Sequence, residues 1–179
     1  RNLPTLRMKY VTPEEKLLLH ISNFRKVKRV HDVIDIFYRV QSLYPSRLLL
    51  VGDGPELHRV MELVQEFSLS SKVIFLGKQD EVASLISLAD ILLLPSEKES
   101  FGLVALEAMA CGVPVIASNA GGLSEVIDNE VTRYLSEVGN TGKMPQDTLR
   151  LFNNKNIYNA FSHRGMEQAN EKLSSDIVV

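Results

Sequence analysis

Two segments of this chain hold residue types that could do chemistry. The first is Ser22-Asn23-Phe24-Arg25-Lys26-Val27-Lys28-Arg29, with four cations inside five positions. Lysine supplies a point charge and arginine a forked donor, a combination suited to a diphosphate. A solvated basic loop would read the same way. The second runs from Glu97-Lys98-Glu99-Ser100-Phe101-Gly102-Leu103 to Glu107-Ala108-Met109-Ala110-Cys111-Gly112. Glu99 closes a polar stretch. Glu107 falls inside an otherwise apolar helical pattern, beside Val104, Ala108 and Cys111. A carboxylate buried there needs a partner: a ligand's hydroxyl pair, backbone amides or an internal cation. Gly102, at the start of the apolar run, would let an anion approach unpaired helix N–H groups. A helix-capping Glu99 with a structurally paired Glu107 is the plainer alternative.

Other motifs exclude more than they assign. Gly52-Asp53-Gly54-Pro55 opens like a dinucleotide fingerprint, but Leu57 stands where its third glycine would fall. No Gly-x-x-x-x-Gly-Lys-Ser/Thr occurs, so a tight strand-to-helix turn is the better reading. There is no Asp-x-Asp pair and no His/Cys/carboxylate cluster at metal-ligand spacing, so no metal site is expected. His20, His31, His58 and His163 are scattered and read as structural or surface residues.

The elements that would position these residues follow one rhythm. Apolar β-like runs at Leu17–Ser22, Arg47–Val51, Lys72–Leu76, Ile91–Leu94 and Val113–Ala117 alternate with helical patterns at Val30–Leu43, Glu56–Phe67, Glu81–Leu88 and Gly102–Cys111. The second helix shows an apolar stripe at Leu57, Val60, Met61 and Val64. The strands lack in/out alternation, as in a parallel sheet covered on both faces. The expectation is a doubly wound, Rossmann-like α/β domain. In such a sheet ligands bind beyond the carboxyl ends of the strands, where both chemical segments fall. After Val126 the pattern weakens: Tyr134–Leu135 reads as a last short strand, and Thr148–Phe152 and Asn159–Leu173 as helices with poor stripes. Residues 1–15 read as an irregular lead-in from a preceding domain, 16–179 as one domain, and 136–179 as its helical tail.

The chain of 179 residues carries 20 Lys and Arg against 22 Asp and Glu, a net charge of −2. That balance gives no electrostatic case for a general nucleic-acid or anionic-membrane binder. No apolar run approaches the ~20 residues of a membrane helix. The single Cys111 forbids an internal disulfide and fits a reducing, cytoplasmic compartment.

Glu99, seven intervening residues and Glu107 form the E-x7-E pattern of retaining glycosyltransferases of family 4. Further words match in order: Leu48-Leu49-Leu50-Val51-Gly52-Asp53-Gly54-Pro55, Phe75-Leu76-Gly77, Glu107 to Val115, and Gly121-Gly122 followed by Glu125. The chain therefore resembles that family over roughly residues 15–135. The resemblance implies a GT-B enzyme of two Rossmann-like domains, this chain being the C-terminal donor-binding one, inactive alone. The first loop and Leu76-Gly77-Lys78-Gln79-Asp80 look most like the bacterial branch that joins UDP-GlcNAc to L-malate in bacillithiol biosynthesis. Another family 4 acceptor, a GT-B UDP-sugar 2-epimerase and a non-enzymatic α/β module are the alternatives.

The resemblance also assigns roles. Glu107 would bind the ribose hydroxyls and Glu99 the donor sugar. Amides of Phe101, Gly102 and Leu103 would touch sugar and diphosphate. Lys28 matches the family's phosphate-binding lysine, and Gly77 and Lys78 would border the uracil. The family usually has arginine at the position of Asn23, so Arg25 is expected to supply the missing charge. The resemblance further implies metal independence, with an acceptor held mostly by the other domain. Asn129-Glu130 and Thr132-Arg133 depart from the family's Gly-rich turn.

Overall fold

The computed structural model describes residues 3–98, 102–119 and 133–177. Six parallel strands make one sheet: β1 (Lys16–Ile21), β2 (Ser46–Val51), β3 (Val73–Gly77), β4 (Ile91–Leu94), β5 (Val115–Ser118) and β6 (Arg133–Ser136). Their spatial order is β3-β2-β1-β4-β5-β6. The order reverses between β1 and β4, which pair through Leu18–Ile91 and Leu19–Leu92. Seven helices accompany the sheet among the described residues: α1 (Leu3–Arg7), α2 (Val30–Gln41), α3 (Leu57–Glu66), α4 (Ala83–Leu88), α5 (Leu103–Ala110), α6 (Lys143–Asn153) and α7 (Lys155–Ile177).

The unbroken apolar strands follow from burial on both faces. Leu18, Leu48, Leu50, Ile91, Leu93 and Ile116 enter one core with α2, α3 and α6. Their neighbours Leu17, Leu19, Leu49, Leu92, Leu94 and Val115 enter the other, with α4 and α5. Successive side chains point to opposite faces, so two covered faces require apolar residues at every position. Helix α2 buries Val30, Val33, Ile34, Phe37 and Val40 at helical spacing. Helix α3 buries Val60 and Val64, whereas Met61, expected in its stripe, is 44% exposed. α3 packs beside α2, and its Val60 and Val64 join the core of Leu48, Leu50 and Val73.

The tail is more regular than its sequence suggests. α6 starts at Lys143, five residues before the predicted Thr148, with Pro145 in its first turn, where a missing N–H is harmless. α7 serves both cores, Phe161 in one and Ala169 in the other, which is why no single stripe marks it. Its Ser162 Oγ donates to the Gly112 carbonyl at 2.7 Å.

Within the lead-in, Leu3–Arg7 forms α1, which is fastened to the amino edge of the sheet. Arg7 Nη2 donates to Asp90 Oδ2 at 2.7 Å, and Nη1 donates to the Leu88 carbonyl. The same Asp90 oxygen accepts the Leu17 N–H at 2.7 Å, and the Tyr158 hydroxyl donates to the Asp90 carbonyl. Burial pushes the Tyr158 phenol well above its ordinary pKa, so it remains a donor. One carboxylate thus joins α1, β1 and β4, and its backbone adds α7.

Candidate functional site

The loops at the carboxyl edge interlock through backbone. Ser22 N–H donates to the Val51 carbonyl at 3.1 Å, Glu56 N–H to Phe24 O at 2.9 Å, and Gly52 N–H to Gly77 O at 2.9 Å. A Cβ on Gly52 would fall 1.8 Å from the Ser22 carbonyl oxygen, and one on Gly54 1.8 Å from that of Asn23. The glycines of this turn therefore admit the neighbouring loop rather than a pyrophosphate, as the missing third glycine implies. Gly77 differs: it is left-handed at φ +69°, with open space where a side chain would be.

The four cations of the first loop have unequal surroundings. Lys26–Lys28 forms a single 3-10 turn between two left-handed residues, Phe24 at φ 47° and Arg29 at φ 50°. Phe24 is fully buried. Its N–H donates to Ser22 Oγ, and that oxygen lies 2.9 Å from His20 Nε2. His20 Nδ1 lies 2.8 Å from the Leu93 carbonyl, so Nδ1 donates there while Nε2 faces Ser22. His20 is thus a structural residue that sets the loop's entry. Arg29 donates to Asp32 Oδ2 at 2.6 Å and to Glu97 Oε1 at 3.0 Å. The Asp32 hydrogen bond, and then Glu97, hold its pKa above the ordinary arginine value despite partial burial. Lys28 is half-buried, while Arg25 and Lys26 are exposed and make no ion pair with a described residue.

Across the switch point, Gly102 takes φ 63° and caps α5 without a side-chain hydrogen bond. The first N–H groups of α5 therefore lack helical partners at this edge. Leu103 is 62% exposed there. Glu107 corrects the sequence reading: it is exposed, not buried. α5 packs through Ala105, Ala108 and Met109, which turns Leu103, Glu107 and Ala110 outward together. The Glu107 carboxylate makes no hydrogen bond or ion pair with a described residue, so the structurally paired alternative finds no support among them. Glu99 and Phe101 lie outside the described residues, as do Gly121, Gly122, Glu125, Asn129, Glu130 and Thr132.

A cavity of about 290 Å³ opens between the ends of β1, β2 and β3. Asn23, Gly52, Asp53, Lys78 and Gln79 give it a polar rim, and Ile21, Val51 and Val82 an apolar floor. The structure thus brings Asn23 and Lys78 to one cavity, next to the cationic loop. Glu97 N–H donates to the Val27 carbonyl at 2.7 Å, so this loop also touches the segment that leads to Glu99. A second, charged cleft of about 440 Å³ lies beside Lys26, His31, Glu56, Arg59 and Glu97. These surface positions come from four separate segments, and no spacing in the sequence marks them. Among the described residues no group of three or more His, Cys, Asp or Glu could hold a metal ion, and no helix is long and apolar enough to cross a membrane.

Comparison with known proteins gives concordant results. Residues 4–168 match the family model described as "Glycosyl transferases group 1". N-acetyl-alpha-D-glucosaminyl L-malate synthase of Bacillus anthracis is 45% identical over the whole chain, which spans 47% of that relative's length. A mutant of S. aureus TarM, solved with fondaparinux, alpha-GlcNAc-glycerol and UDP, superposes with TM-score 0.84 at 25% identity, covering 89% of this chain and 33% of that one. The C-terminal domain of a group 1 family glycosyl transferase (LpcC) from Francisella tularensis superposes with TM-score 0.82. That match covers 94% of this chain and 90% of that one, and at 24% identity it shows the shared fold.

Proposed function

Because the chain belongs to the group 1 glycosyltransferases, with the GT-B type of Rossmann fold, we propose that it is the donor-binding half of a retaining transferase acting on a UDP-sugar. One observation carries the reading. At the carboxyl edge of one parallel sheet, a nucleoside-sized cavity at the ends of β1–β3 shares Asn23 with the loop that carries the cations. That loop is bonded through Val27 to the segment leading from β4 to α5, whose first amides lack helical partners. The uracil enters the cavity past Gly77 and Lys78, and Asn23 lines the same wall. Glu107, outward and unpartnered among the described residues, accepts from the ribose hydroxyls. Lys28 and Arg25 meet the diphosphate, Arg25 supplying the charge that Asn23 does not. Glu99 faces the sugar hydroxyls, and the amides of Phe101, Gly102 and Leu103 face sugar and diphosphate.

Each group has a defined part in the chemistry. A retaining transfer breaks the anomeric C–O bond to UDP while the acceptor hydroxyl attacks from the same face and its proton passes to the departing phosphate oxygen. Negative charge then grows on the leaving β-phosphate. Cations and amides already aimed at that charge stabilise it without reorganising. The same cations remove the need for a metal ion, so EDTA should leave UDP affinity unchanged.

The 45% identity along the whole chain to the B. anthracis N-acetyl-alpha-D-glucosaminyl L-malate synthase supports a GlcNAc donor, carried on UDP in this reading, and L-malate as acceptor. The acceptor belongs to a second domain that completes the cleft. The test is an assay of the full-length protein with UDP-GlcNAc and L-malate. UDP release together with an α-linked GlcNAc-malate product is expected. UDP release only with other acceptors would assign a different member of the family. Interconversion of UDP-sugars without acceptor would assign an epimerase.

A further inference from the structure

We propose that Arg29 is a positioning residue that latches the cationic loop after β1 to the loop after β4 across the switch point. This deepens the nucleotide-sugar reading and rests on it only for the identity of the anion. Arg29 adopts φ 50°, ψ 49°, a conformation that glycine takes freely and a residue with a Cβ does not. The backbone joint alone therefore gives no reason for an arginine. The side chain does. Its guanidinium bridges Asp32 Oδ2 at the start of α2, at 2.6 Å, and Glu97 Oε1 in the β4–α5 loop, at 3.0 Å. Gly139, after β6, also faces it: a Cβ there would lie 3.4 Å from Arg29 Nη2.

The latch has a second strand. Glu97 N–H donates to the Val27 carbonyl, and Val27 sits between Arg25 and Lys28. Glu97 stands two residues before Glu99. Residues 25–28 therefore hang between two left-handed joints, Phe24 fixed by packing and Arg29 fixed by charge. The Glu97 side chain is 46% exposed, so its ion pair contributes little to global stability. Its consequence is local: the two loops that reach the anion are held in register before it arrives.

The decisive variant is R29G, which removes the guanidinium and suits the left-handed joint better than arginine does. In the nucleotide-free full-length protein, R29G should speed amide exchange at Lys28 and Glu97 by roughly tenfold or more, with core strands unchanged. It should lower UDP affinity about tenfold, with uridine affinity within twofold. Because it also leaves the buried Asp32 carboxylate without its arginine, the control on stability is E97A, which keeps that pair and should keep the melting temperature. E97A should match it, the double variant should add nothing further, and R29K should restore part of the loss. Unchanged exchange at Lys28 and Glu97, equal acceleration throughout the chain, or unchanged UDP affinity would overturn the latch. Failure of the unsubstituted protein to bind UDP would count against the nucleotide-sugar reading instead, and the exchange measurement would still decide the latch.

Discussion

The informative contrast at the residue scale is between carboxylates that the fold engages and one that it presents. Asp32 and Asp90 are tied to arginines inside the protein, whereas Glu107 projects from α5 with no described partner. An exposed, unpaired carboxylate contributes little to folding, so Glu107→Ala should leave the melting temperature within the scatter of surface substitutions. If it accepts from a ribose diol, the same change should cost roughly 1.5–3 kcal/mol of UDP binding, read by calorimetry. Unchanged UDP affinity would remove Glu107 from the site. Glu15 behaves oppositely. Burial alone would raise its pKa, but the Thr12 N–H and the Arg47 guanidinium prevail and hold it below the ordinary value of 4.5. A lowered folded-state pKa stabilises above the unfolded value and is lost as pH falls through the folded one. E15Q should therefore destabilise the protein at neutral pH and flatten its loss of stability below about pH 4.5, as followed by thermal melts across acid pH.

The glycines of the loops separate two demands at the element scale. At Gly54 a methyl group would strike the Asn23 carbonyl at 1.8 Å, backbone against backbone, while at Gly77 it meets open space. G54A should displace the cationic loop, lowering both the melting temperature and UDP affinity. G77A faces only the left-handed conformation, a cost of about 1–2 kcal/mol. Thermal melts and UDP titrations of the two variants check the ordering, and equal damage from both would refute it. Much of this level was legible in the sequence. The runs Leu17–Leu19 and Leu48–Val51 are apolar at every step because both faces are covered, and that pattern is written in residue types alone. The exposure of Glu107 was not legible, since α5 is apolar nearly all round and hides which face packs. Nor was α7, whose contacts belong to two cores. The latch of Arg29 on Glu97 joins residues 68 positions apart, which no local spacing reveals.

For the molecule as a whole, the two edges of the sheet have different tasks. The amino edge is closed by Arg7, Asp90 and Tyr158, which tie α1 and α7 to β1 and β4. The carboxyl edge carries the cavity at the ends of β1–β3, the exposed cations Arg25 and Lys26, and first α5 amides without helical partners. A fastened edge opposite an open one suits the proposed role as a donor-binding half, in which the cationic loop reads a diphosphate. Titration of the protein with UDP and with uridine at low and high salt, alongside K28A and R25A, tests it most directly. UDP should bind at least ~10-fold more tightly than uridine. Each substitution should erode that margin while sparing uridine, and the loss should shrink as salt screens the contact. Equal affinity for UDP and uridine, or a margin that survives both substitutions at low salt, would contradict the account.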